Sequence, residues 1–299
     1  LLAEGVEKRE VLPAEILPIH AAYCQLKKLD TTRKAEMDAL SELIGQMPFS
    51  KYYIPRSLAT HLNNTQSSQI FHYLEDLVYQ YVLQSDRSAA PTMTRVIAID
   101  NPALRERFVG AMKRTEVARS EPTPWPAADQ PGAAELNVLR MSVPEIDQYP
   151  NCRPALVFHG TRDDSEKTIC SIGFRMEFLK ANAGNAGWYG KGFYFTTMPS
   201  YANYYAFAPR FAERRAGDIS IIAAWVLLGK PHYQSRKEVG RELEPGSDTH
   251  YTVVRNCHPI GLMGGKPDGD EIVVFEAEAI LPQFVIELQS AAPPEAAVH

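Results

Sequence analysis

The sequence predicts an α+β fold. Apolar runs of strand length outnumber helical stripes, the helical stripes gather in the first third of the chain, and strands and helices do not alternate as a parallel α/β sheet requires. With 299 residues, 45% hydrophobic and 22% charged, the chain is long enough for one large domain or two modest ones.

Residues 16–85 carry the helical signals. Met37, Leu40, Ile44 and Met47 fall on one stripe, and Ile70, Leu74, Leu77, Val78, Tyr81 and Val82 on a stronger one. Asp86-Arg87-Ser88-Ala89-Ala90-Pro91 is small, polar and ends in proline, as a linker does. The expected division is therefore a helical domain over residues 1–90 and a mixed domain over 91–299.

Beyond the linker the period changes. Residues 94–99 read as a strand, and Asn101-Pro102 as an N-cap with proline in the first turn of a helix that runs to about Lys113. Residues 121–132 hold Pro122, Pro124, Pro126 and Pro131 and are expected to form a loop. A short helix follows over 165–171, stopped by Gly173. Residues 219–228 are apolar throughout and bracketed by Gly217 and Gly229, which suits a buried strand. Residues 271–279 and 284–288 read as closing strands, and 291–298 as a frayed tail.

A formal charge of −5 and a pI near 5.9 give no whole-chain attraction to nucleic acid or acidic membrane, and leave only a local basic patch open. Cys24, Cys152, Cys170 and Cys257 lack C-x-x-C spacing, which argues against a disulfide framework and a zinc knuckle and for a reducing compartment. No apolar run approaches the roughly 20 residues of a membrane span, and no signal-like segment opens the chain. It begins at Leu1, as an excised piece of something longer would. An intracellular setting, nucleus or cytoplasm, is expected, with no metal.

The chemistry concentrates in three segments: Leu156-Val157-Phe158-His159-Gly160-Thr161, then Tyr189-Gly190-Lys191-Gly192-Phe193-Tyr194-Phe195, then Asp270-Glu271-Ile272-Val273-Val274-Phe275. They offer one His, one Tyr and one Glu, each on a short apolar run, too far apart in sequence for anything but a fold to unite them. Gly190 and Gly192 flank Lys191 and could bring backbone close to a flat ligand. The spacing is neither a P-loop nor G-x-G-x-x-G. Singly, each residue has a bland reading: a structural histidine, a core tyrosine, a solvated glutamate.

Together and in this order, the segments resemble the catalytic domain of the poly(ADP-ribose) polymerase group of ADP-ribosyltransferases, with its His-Tyr-Glu triad. Ile172-Gly173-Phe174-Arg175, Ala202-Asn203-Tyr204, Trp225-Val226-Leu227-Leu228-Gly229-Lys230 and Leu281-Pro282-Gln283-Phe284-Val285-Ile286 extend the likeness, as does the stretch from Val96 to Phe108. It spans roughly residues 92–289.

The resemblance implies a split, mainly antiparallel β-core that clasps NAD, a glycosyl-type transferase activity that releases nicotinamide, and a protein acceptor that includes the enzyme itself. It assigns catalysis to Glu271, His159 and Tyr194. The donor would lie against His159, Gly160, Thr161, Arg175, Tyr189, Lys191, Gly192, Tyr194, Ser200 and Tyr204. On that template the Gly160 backbone holds the carboxamide, His159 the adenosine ribose, Tyr194 and Tyr204 sandwich the nicotinamide, and Glu271 bonds the nicotinamide ribose. With an ordinary pKa of about 4.3, Glu271 would be charged at neutral pH. Glutamate here permits single or repeated transfer.

Two stretches depart from the family pattern. Met198-Pro199-Ser200-Tyr201 is one residue short of the usual serine pair, and residues 176–188, expected to be a mobile cover over the donor, match no known member. Gly246-Ser247-Asp248-Thr249 falls where some members carry an acceptor-side loop. The helical residues 1–90 stand where some members have a domain that hinders NAD entry. Rival readings are an NAD glycohydrolase, an RNA 2′-phosphotransferase, for which Arg210, Arg214 and Arg215 make too small a basic cluster, and an inactive ADP-ribose- or protein-binding module.

Overall fold

The computed structural model describes residues 50–55, 74–75, 92–119, 131–132, 149–161, 163–176, 187–206 and 218–289. In chain order these form β1 (Ser50–Pro55), β2 (Thr92–Asp100), α1 (Pro102–Ala118), β3 (Pro154–Gly160), α2 (Asp163–Ile172), β4 (Phe193–Phe195) and α3 (Pro199–Ala206). There follow β5 (Asp218–Leu227), β6 (Pro231–Tyr233), β7 (Thr249–Arg255), β8 (His258–Pro259), α4 (Ile260–Met263), β9 (Gly269–Val274), a 3₁₀ turn (Ala277–Ala279) and β10 (Ile280–Gln289).

The strands make two sheets. The first runs β1-β2-β10-β5-β3 with every neighbour antiparallel. The second runs β4-β9-β7-β6, with β8 also on β7; only β6 and β7 are parallel. Consecutive residues of β5 from Ile219 to Leu227 are buried, so both faces of this central strand are covered, which explains its unbroken apolar run.

Asn101 organises two helices. Its side-chain oxygen accepts from the Leu104 N–H (3.2 Å) and caps α1, while its amide nitrogen donates to the Cys170 and Ser171 carbonyls (3.1 and 2.8 Å) at the end of α2. Gly173 closes α2 as expected, its N–H reaching Ile169 O (2.9 Å). At the far end of α1, Asn151 donates to the Glu116 and Arg119 carbonyls.

The two sheets touch edge to edge. Phe158 of β3 and Thr196, just past β4, exchange both backbone hydrogen bonds (2.8 and 2.9 Å) in an isolated bridge. One residue on, the ladder stops, and the His159 ring instead meets the Tyr194 carbonyl at 2.7 Å. That seam is where the core splits.

Several expectations need correction. The first helix runs on to Ala118. The strand expected over 271–279 ends at Val274: β-branched residues give way to Ala277-Glu278-Ala279, which form a 3₁₀ turn. The last strand starts earlier, at Ile280, and carries Pro282 inside it. Pro282 is tolerated because β2 pairs β10 only from Phe284 onward and the register shifts between Pro282 and Phe284. Within the stretch read as helical, Ser50–Pro55 is a strand on the edge of the first sheet, while Leu74 is helical and fully buried in the core. The rest of residues 1–90, most of the proline-rich loop, residues 177–186, the Arg210-to-Arg215 cluster and the tail lie outside the described residues.

Candidate active site

His159 reaches the seam because β3 delivers it one residue past the last bridge. The Tyr194 carbonyl can only accept, so His159 Nδ1 carries the proton and Nε2 is left as the acceptor of a neutral ring. Burial lowers its pKa below the ordinary value, and the backbone bond opposes this. The edge of Phe174 (5.1 Å, 86°) and Phe195 (5.5 Å) fix the ring plane. Gly160 follows for a packing reason: any Cβ there would overlap the Ala202 carbonyl and press on the Ala206 nitrogen, because the backbone of α3 crosses directly over it.

Tyr194 is half-buried on β4, its hydroxyl donating to Gly190 O (2.9 Å) and accepting from Tyr189 N–H (2.8 Å). The Gly187-to-Gly192 loop is thereby tied to the strand it precedes. The loop is also pinned from behind, by Lys191 N–H to Arg241 O (2.9 Å), Glu238 N–H to Trp188 O (2.8 Å) and Gly240 N–H to Gly187 O (2.9 Å). Gly190 sits at φ +130, where a side chain would also strike the Phe275 ring. The tyrosine at its head differs from expectation: Tyr189 is fully buried, its hydroxyl donating to Cys257 O (3.1 Å), so its ring lines the core. Lys191 turns outward to Glu242 (3.0 Å).

His250 closes the back of this loop. It donates from Nδ1 to Tyr189 O (2.8 Å) and accepts at Nε2 from Glu244 N–H (3.0 Å), a neutral tautomer with both nitrogens used.

Asp270 and Glu271 are neighbours on β9 and so face opposite sides of the sheet. Asp270 is fully buried and receives four hydrogen bonds, from Thr196 Oγ1 (2.8 Å), Thr197 N–H (2.7 Å), Thr197 Oγ1 (2.9 Å) and Tyr251 OH (3.1 Å). It locks the exit of β4 to β9. Glu271 therefore inherits a fixed position.

Glu271 is 4% exposed, and two hydroxyls from α3 converge on its Oε1: Tyr201 at 2.7 Å and Tyr205 at 3.1 Å. Tyr194 stands opposite Val273, two residues along β9, so Tyr194 and Glu271 share a sheet face. The Glu271 charge also reaches Tyr189 and Tyr194 and opposes ionisation of both. Burial pushes the Glu271 carboxyl up to about 7; the Tyr201 and Tyr205 bonds and the charge of Lys237 pull it back, and Asp270 adds to the rise. A carboxyl expected to be fully ionised at neutral pH is thus near its midpoint. Lys237 lies over the Trp188 ring, 3.3 Å from its centroid.

Of the remaining expected residues, Thr161 is buried, Arg175 exposed, and Ser200 half-exposed in the first turn of α3. The Tyr204 side chain lies outside the described atoms. Asp248, in the segment that falls where some members carry an acceptor-side loop, holds Arg119 through two bonds (2.9 and 2.6 Å) and the Lys230 N–H (2.7 Å). Sequence reasoning missed Tyr201, Tyr205 and Asp270. Asp270 could have been found, since it precedes Glu271 on a strand; the i, i+4 spacing of Tyr201 and Tyr205 shows only that they share a helix face.

Among the described residues no group of three or more His, Cys, Asp and Glu could hold a metal ion, and no helix is long and apolar enough to cross a membrane. No curated protein sequence matches the chain. The family model of the poly(ADP-ribose) polymerase catalytic domain matches residues 76–290. That match covers well over half of the chain and all three segments of the candidate site, and the chain accordingly belongs to the poly(ADP-ribose) polymerase catalytic domain family.

Proposed function

We propose that this domain transfers ADP-ribose from NAD to an acceptor, protein side chains including its own, and releases nicotinamide. The observation that supports this most directly is Glu271, a buried carboxylate held by two hydroxyls on the same sheet face as Tyr194. The bond between the ribose C1 and the nicotinamide nitrogen breaks with its electron pair leaving on nitrogen, so positive charge grows on the sugar. A fixed carboxylate in a desolvated site stabilises that charge as it forms, without reorganising. The acceptor oxygen then bonds to the same carbon, and its proton passes to Glu271.

The other roles follow from the residues' own hydrogen-bonding capacity. With Nδ1 committed to Tyr194 O, His159 offers Nε2 to a ribose hydroxyl of the adenosine half. Tyr194, clamped at its hydroxyl, presents a ring of fixed plane to the nicotinamide. The Gly160 backbone would take the carboxamide.

Incubation with NAD labelled in its adenylate half tests the reading. Label on protein is expected; free ADP-ribose would instead mean a glycohydrolase, and neither product a binding module. Glu271→Gln should lower transfer by about 100-fold or more, the size of losing one transition-state electrostatic contact. Full activity in that variant would overturn the mechanism.

A further inference from the structure

We propose that Tyr201 and Tyr205 are positioning residues for Glu271, a paired clamp on Oε1 that leaves Oε2 as the oxygen that meets substrate. This inference rests on the transferase reading above.

The geometry comes from α3. Residues four apart lie one above the other on a helix, and the two rings meet edge to face at 5.2 Å with their hydroxyls 3.0 Å apart. Both hydroxyls end on one oxygen, at 2.7 and 3.1 Å. Among the described residues no hydrogen bond is made to Oε2. Gly160 lets α3 approach β3 closely enough for this, since a side chain there would push the helix off.

The clamp has two effects. Two donors on a single oxygen oppose rotation of the carboxyl group, so the free oxygen keeps one direction. They also favour the charged form of an acid that burial favours neutral, and they act at every working pH because burial raises both phenols above their ordinary value. The other groups that face Glu271 are few. Lys237, from the segment after β6, favours its ionisation and Asp270 opposes it; Cys257, from the β7–β8 turn, lies within 3.5 Å of the Tyr205 hydroxyl, and Tyr189 and Tyr194 feel the charge.

Tyr201→Phe, Tyr205→Phe and the double variant of the full chain test the clamp, each keeping its ring. The expected result is a rise of about one pH unit in the midpoint of the kcat profile for each single change. In round terms this is a tenfold loss near pH 6 that disappears near pH 9, with KM for NAD little altered. A uniform loss at all pH, or an unchanged profile, would overturn the proposal and leave the tyrosines as packing. Should the wild type turn over no NAD at any pH, the transferase reading fails alone. The clamp is then read from thermal unfolding between pH 4 and 9. Replacing Glu271 by Gln should give a larger gain at high pH in the Tyr201→Phe background than in the wild type, and equal gains would overturn it.

Discussion

A buried carboxyl with its midpoint near neutrality makes two predictions at the scale of one residue. On the proposed mechanism Glu271 acts as the carboxylate, so NAD turnover should rise with pH through about 7 and level off above it. Its folded-state pKa lies above the unfolded value, so the native state holds the proton longer, and stability falls as pH rises from about 4.5 to 7. Glu271→Gln should therefore be more stable than the wild type at pH 8, by on the order of 3 kcal/mol, and show no gain at pH 4, which thermal unfolding at the two pH values checks. The substitution expected to abolish transfer should thus stabilise the fold. His159, Tyr194 and Glu271 could be picked out as candidates because each stood in an unusual local frame, and the fold sets His159 against the Tyr194 carbonyl and Glu271 on the sheet face of Tyr194. Tyr201 and Tyr205 were not, because their partner lies 66 to 70 positions away, and locally they look like any aromatic pair on a helix.

At the scale of the element, the position of each side chain depends on how closely backbones approach. Gly160→Ala would drive a methyl group into the Ala202 carbonyl, and overpacking of that kind costs about 1–3 kcal/mol. A drop in Tm of roughly 3–10 °C is expected, together with lost NAD turnover as α3 and its two tyrosines move. The Asp270→Asn change gives a sharper loss in stability. The amide would turn a donor toward a pocket that supplies four of its own, and about 3 kcal/mol should be lost at neutral pH. Urea unfolding of both variants reads these outcomes. Strand and helix starts were legible where a local signal exists, as with Asn101 before α1 and Gly173 after α2. The end of β9 and the start of β10 were not, because pairing and register decide them, and a proline in a strand reads as a boundary until its neighbours are known.

For the whole molecule, the two sheets joined at Phe158 and Thr196 were beyond sequence reasoning from the residues alone; the family resemblance supplied the split core. The proposed boundary near residue 90 cuts through the first sheet, since β1 pairs β2 along Ser50–Pro55 and Leu74 fills the core. A chain starting at Ala89 would leave the edge of β2 unpaired. We expect it to unfold at lower temperature and to self-associate with rising concentration, measurable by scattering. If its NAD turnover per folded molecule rises, the first 90 residues restrain access to the site; if turnover is unchanged, they serve stability.

The adjacency of Asp270 and Glu271 limits how this domain can vary over evolutionary time. One acid faces four donors and the other two phenols, so sliding β9 by a single position would put one acid in the other's environment and leave the vacated one to Gly269 or Ile272. An insertion or deletion next to the strand cannot be absorbed by slippage. Changes in length ahead of β9 must be taken up by the end of α4 and the turn after it, residues 261–268, where Leu262 and Met263 stand exposed and nothing crowds Gly264. The pair acts as a reading frame for β9, and descendants of this chain can lengthen or shorten that turn freely only while the frame is kept.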